Sequence, residues 1–182
     1  GTYKAKLTVN GKVMETEFEI LKDPRSTGTI ADIKEQFDFA IKVRDRLSDT
    51  NKGVKKIREA RDQINRVTEP MKGDAEFKDV TDLAKNILDN MKGVEEELYQ
   101  TKNRSGQDPL NFPVRLNNKI GALGREVNGN DFKPTDQVKA VYNELSEKIE
   151  IQLTELNRII NEQLPEFNNL IRQKEVKAVV IQ

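Results

Sequence analysis

Between residues 135 and 174, Val138, Val141, Leu145, Ile149, Leu153, Leu156, Ile160, Leu164, Phe167 and Ile171 recur every three or four positions, the spacing of one face of an α-helix. At 1.5 Å per residue such a helix is about 57 Å long, and a rod of that length has to lie along other helices to bury its stripe. Pro165 falls inside it and removes one backbone hydrogen bond, which predicts a bend in the turn before.

An earlier helix is predicted from an N-cap at Thr29 to about Val67, with Ile30, Ile33, Phe37, Ala40, Leu47, Val54, Ile57, Ile64 and Val67 inward and with Pro70 and Gly73 as its stop. Phe39, Ile41 and Val43 widen the stripe of its first half, whereas Asn51, Arg58 and Arg61 crowd the seam of its second. A second helix over residues 74 to 101 carries Phe77, Val80, Ala84, Ile87, Met91, Val94 and Leu98 in strict three-four alternation, widened late by Leu88 and Tyr99. A third, shorter helix over residues 113 to 127 offers Leu116, Ile120, Leu123 and Val127. Gly121 and Gly124 lower its intrinsic stability by about 1 kcal/mol each relative to Ala. Asn128-Gly129-Asn130-Asp131 ends it, and Pro134 opens the last helix.

The first twenty residues alternate with period two instead. Asn10-Gly11 is the preferred loop of a type I′ hairpin, and it sets Val9 opposite Lys12, Leu7 opposite Met14, Ala5 opposite Thr16 and Tyr3 opposite Phe18. On the other face Lys6 meets Glu15 and Lys4 meets Glu17. A lone two-stranded hairpin is marginal in water, so the face of Tyr3, Leu7, Met14, Phe18 and Ile20 requires a partner. Residues 1 to 22 are assigned to the hairpin and residues 23 to 182 to the bundle. The expected fold is mainly α: an antiparallel up-down bundle of four helices, the third short, with an N-terminal β-hairpin.

Two helix orders fit these lengths. An up-down-up-down order gathers all the wide stripes at one end and is preferred for that reason. The alternative is a three-legged bundle in which the second and third helices form one broken leg. The preferred order also returns the chain end to the hairpin, so the β-prone run over residues 176 to 181, with Val179, Val180 and Ile181, is expected to pack on the hairpin or pair with its edge.

Composition narrows the chemistry. Charged residues make up 34% of the chain and aromatic ones 5%, a balance of well-solvated helices rather than of a sandwich. Lys plus Arg and Asp plus Glu both number 31, so no net field favours nucleic acid or an anionic membrane. Histidine and cysteine are absent, which removes disulfides, thiolate nucleophiles and the commonest metal ligand and general base near neutral pH. No cofactor, metal site or catalytic residue is expected. There is no run of about 18 apolar residues and hence no expected membrane span.

Several motifs have inexpensive explanations. Asn103-Arg104-Ser105 fits an N-glycosylation triplet, a pattern that arises often by chance. Lys52, Lys55, Lys56, Arg58, Arg61 and Arg66 are interleaved with Asp49, Glu59 and Asp62 and read as a solvated face before an anion site. Gly121-Ala122-Leu123-Gly124 lacks the strand-helix context of a phosphate loop; close helix packing explains it. Asn128, Asn130 and Asp131 read as a turn, because no bidentate Glu follows at calcium-loop spacing. Glu95, Glu96 and Glu97 read as a solvated run, and carboxylate-based hydrolysis would need two such groups roughly 5 to 9 Å apart beside a cleft. The least ordinary stretch spans residues 108 to 119, with two prolines and three asparagines. It is a tightly hydrogen-bonded corner or, as the alternative, an interaction surface formed by Asp108, Asn111, Phe112, Arg115, Asn117 and Asn118.

That stretch resembles, together with Gly1-Thr2-Tyr3, Leu7-Thr8-Val9-Asn10-Gly11, Asp23-Pro24-Arg25, Arg44-Asp45-Arg46-Leu47-Ser48, Leu98-Tyr99-Gln100 and Pro134-Thr135-Asp136-Gln137, one family. It is the C-terminal region of exported bacterial proteins with a sortilin-type β-propeller of bacterial-neuraminidase (Asp-box) repeats, often labelled glycosyl hydrolase-like. The resemblance implies a signal peptide, a propeller and an immunoglobulin-like or fibronectin-like β-domain upstream, and a periplasmic or extracellular location. Gly1 opens inside a strand-like pattern, so the hairpin would be the last two strands of that β-domain. The propeller and its Asp-boxes are missing from these residues, and no catalytic residue transfers. The expectation is a non-catalytic interaction or scaffold module that supports the propeller or docks a protein or glycan partner. The upstream β-domain and propeller would be its first partners. A glycan-binding or carboxylate-based hydrolase accessory and a stand-alone helical adaptor are the alternatives.

Overall fold

The computed structural model describes residues 1 to 176. Strands β1 (Thr2–Val9) and β2 (Lys12–Glu19) form a two-stranded antiparallel hairpin. Asn10 at φ 49° and Gly11 at φ 77° take the left-handed conformations that a type I′ turn needs, and the register that follows is the predicted one, Tyr3 opposite Phe18 and Leu7 opposite Met14. Lys4 and Glu17 approach to 3.4 Å on the polar face, and Lys6 and Glu15 to 3.8 Å. Tyr3 and Phe18 stack on the other.

Four helices follow: α1 (Ile30–Thr68), α2 (Lys78–Leu98), α3 (Leu116–Asn128) and α4 (Asp136–Arg158). The last continues through a π-helical turn (Ile159–Gln163) into α5 (Leu164–Gln173). Thr29 starts α1 through a reciprocal pair: its hydroxyl accepts from the Asp32 N–H, and the Asp32 carboxylate accepts from the Thr29 N–H. The turn Glu69–Met71, with Pro70 inside it, stops α1, and Gly73 at φ 85° redirects the chain. The discontinuity expected before Pro165 is the π-helical turn. Widening the helix by one residue there makes room for a ring that would otherwise press on the preceding turn.

The chain is a helical bundle with an N-terminal hairpin, and its helices take the three-legged order, not the up-down-up-down one. Helix α2 runs antiparallel to the second half of α1, which brings Glu95 against Arg58 and Arg61. Helix α3 runs antiparallel to the first half: Gln36 donates to the Val127 carbonyl at 2.9 Å, and Gly124 and Gly121 lie against Val43 and Leu47. Helix α4 runs parallel to α1, with Lys139 on Glu35 and Arg46 on Glu150. At the far pole Lys174 reaches Asp79. Placed end to end, α2 and α3 span the whole of α1, and stripe width alone did not capture that economy.

The buried line of α1 also differs from the expected one. Ile30 and Phe37 are 66% and 60% exposed, and Phe39 and Val43 are buried in their place. Phe39 meets the Tyr142 ring edge-on at 5.2 Å, and Gly124 lets Val43 approach α3 closely. Val67 and Val141, expected inward, stay exposed. Thr50 and Thr68 are buried instead, their hydroxyls donating to the carbonyls of Arg46 and Ile64 one turn back. Ile57, Ile87, Met91, Leu98, Ile120, Ile149 and Ile159 fill the axis.

The pairing expected of residues 176 to 181 lies, beyond Val176, outside the described residues. Val176 itself closes a left-handed cap on α5. Its N–H bonds the Ile171 carbonyl and that of Glu175, at φ 53°, bonds Arg172. It packs on the bundle beside the end of α5, where Lys174 meets Asp79, so within the described residues the last leg runs away from the pole where α1 starts. Every residue of β1 and β2 is exposed.

The hairpin joins the bundle through residues 20 to 29, where the Lys22 ammonium donates to the carbonyls of Ser26 and Gly28. A side chain at Gly28 would run into the Asp131 carbonyl oxygen, whereas one at Gly93, exposed within α2, would meet nothing. Gly28→Ala should therefore destabilise the fold by about 1–3 kcal/mol and Gly93→Ala stabilise it by about 0.5–1 kcal/mol, both read from urea unfolding.

Candidate functional site

The connection between α2 and α3 is built from short-range hydrogen bonds. Gln100, buried just past the end of α2, donates from Nε2 to the Pro113 carbonyl at 2.8 Å and accepts from the Lys102 N–H at 3.2 Å, fastening the loop at both ends. Asp108 is committed inside the loop. Its carboxylate accepts from the Arg104 N–H, from the Ser105 N–H at 2.7 Å and from the Ser105 hydroxyl at 2.8 Å. Those bonds, led by the backbone N–H of Arg104, hold its pKa below the usual carboxylate value. Asn111 and Phe112 close the turn by donating their backbone N–H groups to the Asp108 carbonyl, both at 2.9 Å. The Lys102 ammonium stands over the Phe112 ring.

Arg115, Asn117 and Asn118 lie on the first turn of α3. The Arg115 N–H points at Asn118 Oδ1 at 3.5 Å, and its guanidinium faces Glu97 at the same distance. Asn117 Oδ1 and Arg115 Nε are buried with no partner among the described residues. The structure therefore brings the six predicted residues into one connection, Asp108, Asn111 and Phe112 in its turn and the other three where α3 begins. A depression of about 370 Å³ beside Arg115 is lined by Glu97, Lys119, Lys148 and Ile151.

A second polar centre was not anticipated. Glu95, expected in a solvated run, is 2% exposed. It accepts from Arg58 Nε at 2.8 Å through one oxygen and from Arg61 through the other. The Arg58 guanidinium also lies over the Tyr99 ring, 4.8 Å from its centre. Arg58 and Arg61 thus leave the solvated basic face to which the sequence assigned them, while Lys52 and Lys55 stay on it, paired with Asp49 and Glu59. Burial pushes the Glu95 carboxyl up, but the hydrogen bonds and charges of Arg61 and Arg58 outweigh it and leave the pKa below the ordinary value. A carboxylate held in this way has no proton to give near neutral pH. It acts as a register pin between α1 and α2. The sign available in the sequence was the placement of Arg58 and Arg61 on the narrow seam.

The remaining motifs fall where packing puts them. Gly121 and Gly124 face α1. Asn128 donates to the Gly124 carbonyl, and Asn130 accepts from the Phe132 N–H in the turn that follows. Asn103 Oδ1 is buried and unpaired among the described residues. No described helix is long and apolar enough to cross a membrane, and no described group of three acidic side chains is placed to hold a metal ion.

Because the folded pKa of Glu95 lies below its unfolded value near 4.5, its stabilising contribution is complete above pH 4.5 and is lost as pH falls through the depressed folded value. Breaking a fully buried ion pair by removing one partner costs about 3–5 kcal/mol, and the cost here falls at or below the lower end because the Arg58 and Arg61 side chains keep contact with water. Glu95→Gln should show a deficit of that order in urea unfolding at pH 7 and a smaller one at pH 3. An equal deficit at both pH values would contradict the charged register pin.

No family model, curated protein or solved structure matches the chain.

Proposed function

We propose that this chain is a non-catalytic interaction or scaffold module, in which a helical rod holds a two-stranded docking element clear of itself. The observation that carries this reading is the uncovered face of the hairpin. Tyr3, Leu7, Met14, Phe18 and Ile20 are between 46% and 56% exposed on strands that make few contacts with the bundle.

The size of that face bears on the kind of partner. At about 3.4 Å per residue and about 4.8 Å between strands, two strands of this length offer an area of roughly 300 Å². Both sides together would bury about half of what free partners need for a stable complex. A domain tethered to the same chain works at a far higher effective concentration and can be held by so small a contact. The β-domain that the resemblance places upstream, in an exported propeller protein, fits that requirement, with the helical rod as its support. The corner of Asp108, Asn111, Phe112, Arg115, Asn117 and Asn118 then serves chiefly to join two halves of a leg.

The test is binding of the upstream β-domain in trans to the full chain carrying either Leu7→Glu with Phe18→Glu or Arg115→Ala. The hairpin pair should weaken binding by about tenfold or more with the helical circular dichroism unchanged, and Arg115→Ala should not. Retained binding in the hairpin pair, or its loss in Arg115→Ala with helicity intact, would move the docking surface to the corner.

A further inference from the structure

We infer that the free edge of β2 is where the docking partner adds a β-strand, one whose residues alternate between apolar and basic. The inference rests on the reading of the hairpin as a docking element and specifies the chemistry of what it docks.

Backbone geometry identifies the groups on offer. Gly1 and Ile20 exchange both their N–H to carbonyl bonds, at 2.7 and 2.9 Å. In an antiparallel pair such residues alternate with non-bonded ones, so Tyr3 with Phe18, Ala5 with Thr16 and Leu7 with Met14 are the bonded pairs of this register. The N–H and carbonyl groups of Thr2, Lys4, Lys6 and Thr8 therefore point outward along the β1 edge, and those of Val13, Glu15, Glu17 and Glu19 along the β2 edge. The side chains of these residues occupy the polar face, so each edge carries a single sign of charge.

That arrangement discriminates between occupants. Two β1 edges joined about a two-fold axis would set Lys4 against Lys6 of the second copy, and two β2 edges would set Glu15 against Glu17; like charges directly opposite are destabilising. The two edges also differ from each other. The pairs Lys4–Glu17 and Lys6–Glu15 engage both edges alike, but lysines on an outer strand are a common guard against strand addition. Glu19, in contrast, stands opposite Thr2 with no cation across from it. The β2 edge thus holds three carboxylates against two lysines. An antiparallel strand added there would place basic side chains opposite Glu15, Glu17 and Glu19. Its apolar side chains would extend the Leu7, Met14 and Phe18 face by one strand, in the manner of β-augmentation. Strand β1 has this alternation itself, but a second copy added by the same rule leaves a new β2 edge each time. Such head-to-tail addition ends only where the rotation between copies happens to close a ring, whereas one strand of the upstream β-domain completes the edge in a single step, and that strand is the occupant assigned here.

The test uses backbone amide exchange, followed by NMR on the full chain, with two synthetic peptides of the length of β2. One alternates valine with lysine and the other valine with glutamate. The lysine peptide should slow exchange at Val13, Glu15, Glu17 and Glu19 by about tenfold, less at raised salt, and spare Thr2, Lys4, Lys6 and Thr8. Glu19→Lys, opposite an uncharged residue, should weaken the effect with the hairpin intact. The combined exchange Lys4→Glu, Lys6→Glu, Glu15→Lys, Glu17→Lys and Glu19→Lys keeps the cross-strand pairs, gives the β2 edge three cations and should transfer the preference to the glutamate peptide. Equal slowing by both peptides, or slowing along β1, would overturn the assignment while the trans-binding experiment could still support the hairpin as a docking element. Slowing by neither peptide would overturn it outright. A mass that rises with protein concentration in the absence of peptide would give the edge to a second copy.

Discussion

A helix as long as α1 keeps its shape only if its buried line is covered from end to end, because an isolated helix draws little stability from propensity alone. In this fold that requirement is met by two shorter helices laid in series along one side, α2 on the later half and α3 on the earlier, and by α4 running parallel on the other. Everything between α2 and α3 follows from it. The chain must leave one helix and begin the next in line with it, and Gln100, Asp108 and the first turn of α3 supply the hydrogen bonds for that step. The third leg has its own discontinuity, a π-helical turn in front of Pro165, where the rod passes the end of α1.

The hairpin stands outside this constraint. Among the described residues it contributes nothing to covering α1, and nothing in the bundle covers it. Its internal order comes from an Asn-Gly turn, a stacked aromatic pair and two charge pairs, each a small local term. The ribbon is well specified in register, with one face apolar and exposed and with no third strand among the described residues. Residues 20 to 29 connect it to the rod, and Gly28 at the end of that connection closely approaches the turn at Asp131.

Local features were legible in the sequence and the global arrangement was not. Thr29 as an N-cap, Asn10-Gly11 as a turn and Gly121 with Gly124 as a packing surface depend on a few neighbouring residues, and all three stand in the structure as the sequence reading had them. The order of the legs depends on which apolar stripes meet, and stripes of similar width are interchangeable when judged one helix at a time. The choice of Phe39 over Phe37 has the same origin: two apolar lines lie side by side on α1, and only the positions of Tyr142 and Gly124 on other helices decide between them. Glu95 was hidden by its neighbours. In a run of three glutamates, burial falls on the one whose helical phase faces α1, and the two arginines that neutralise it lie more than thirty residues upstream. Gln100 left no trace beyond a polar residue following an apolar stripe.

The order of the legs sets the distance between the start of α1 and the end of α5. The chain has no cysteine, so Lys34→Cys and Arg172→Cys would carry a single pair of spin labels, one near the start of α1 and one near the end of α5. The three-legged rod places them about 50 Å apart, the rise of some thirty-four helical residues. A separation under about 25 Å, as neighbouring ends of adjacent packed helices would give, would contradict it.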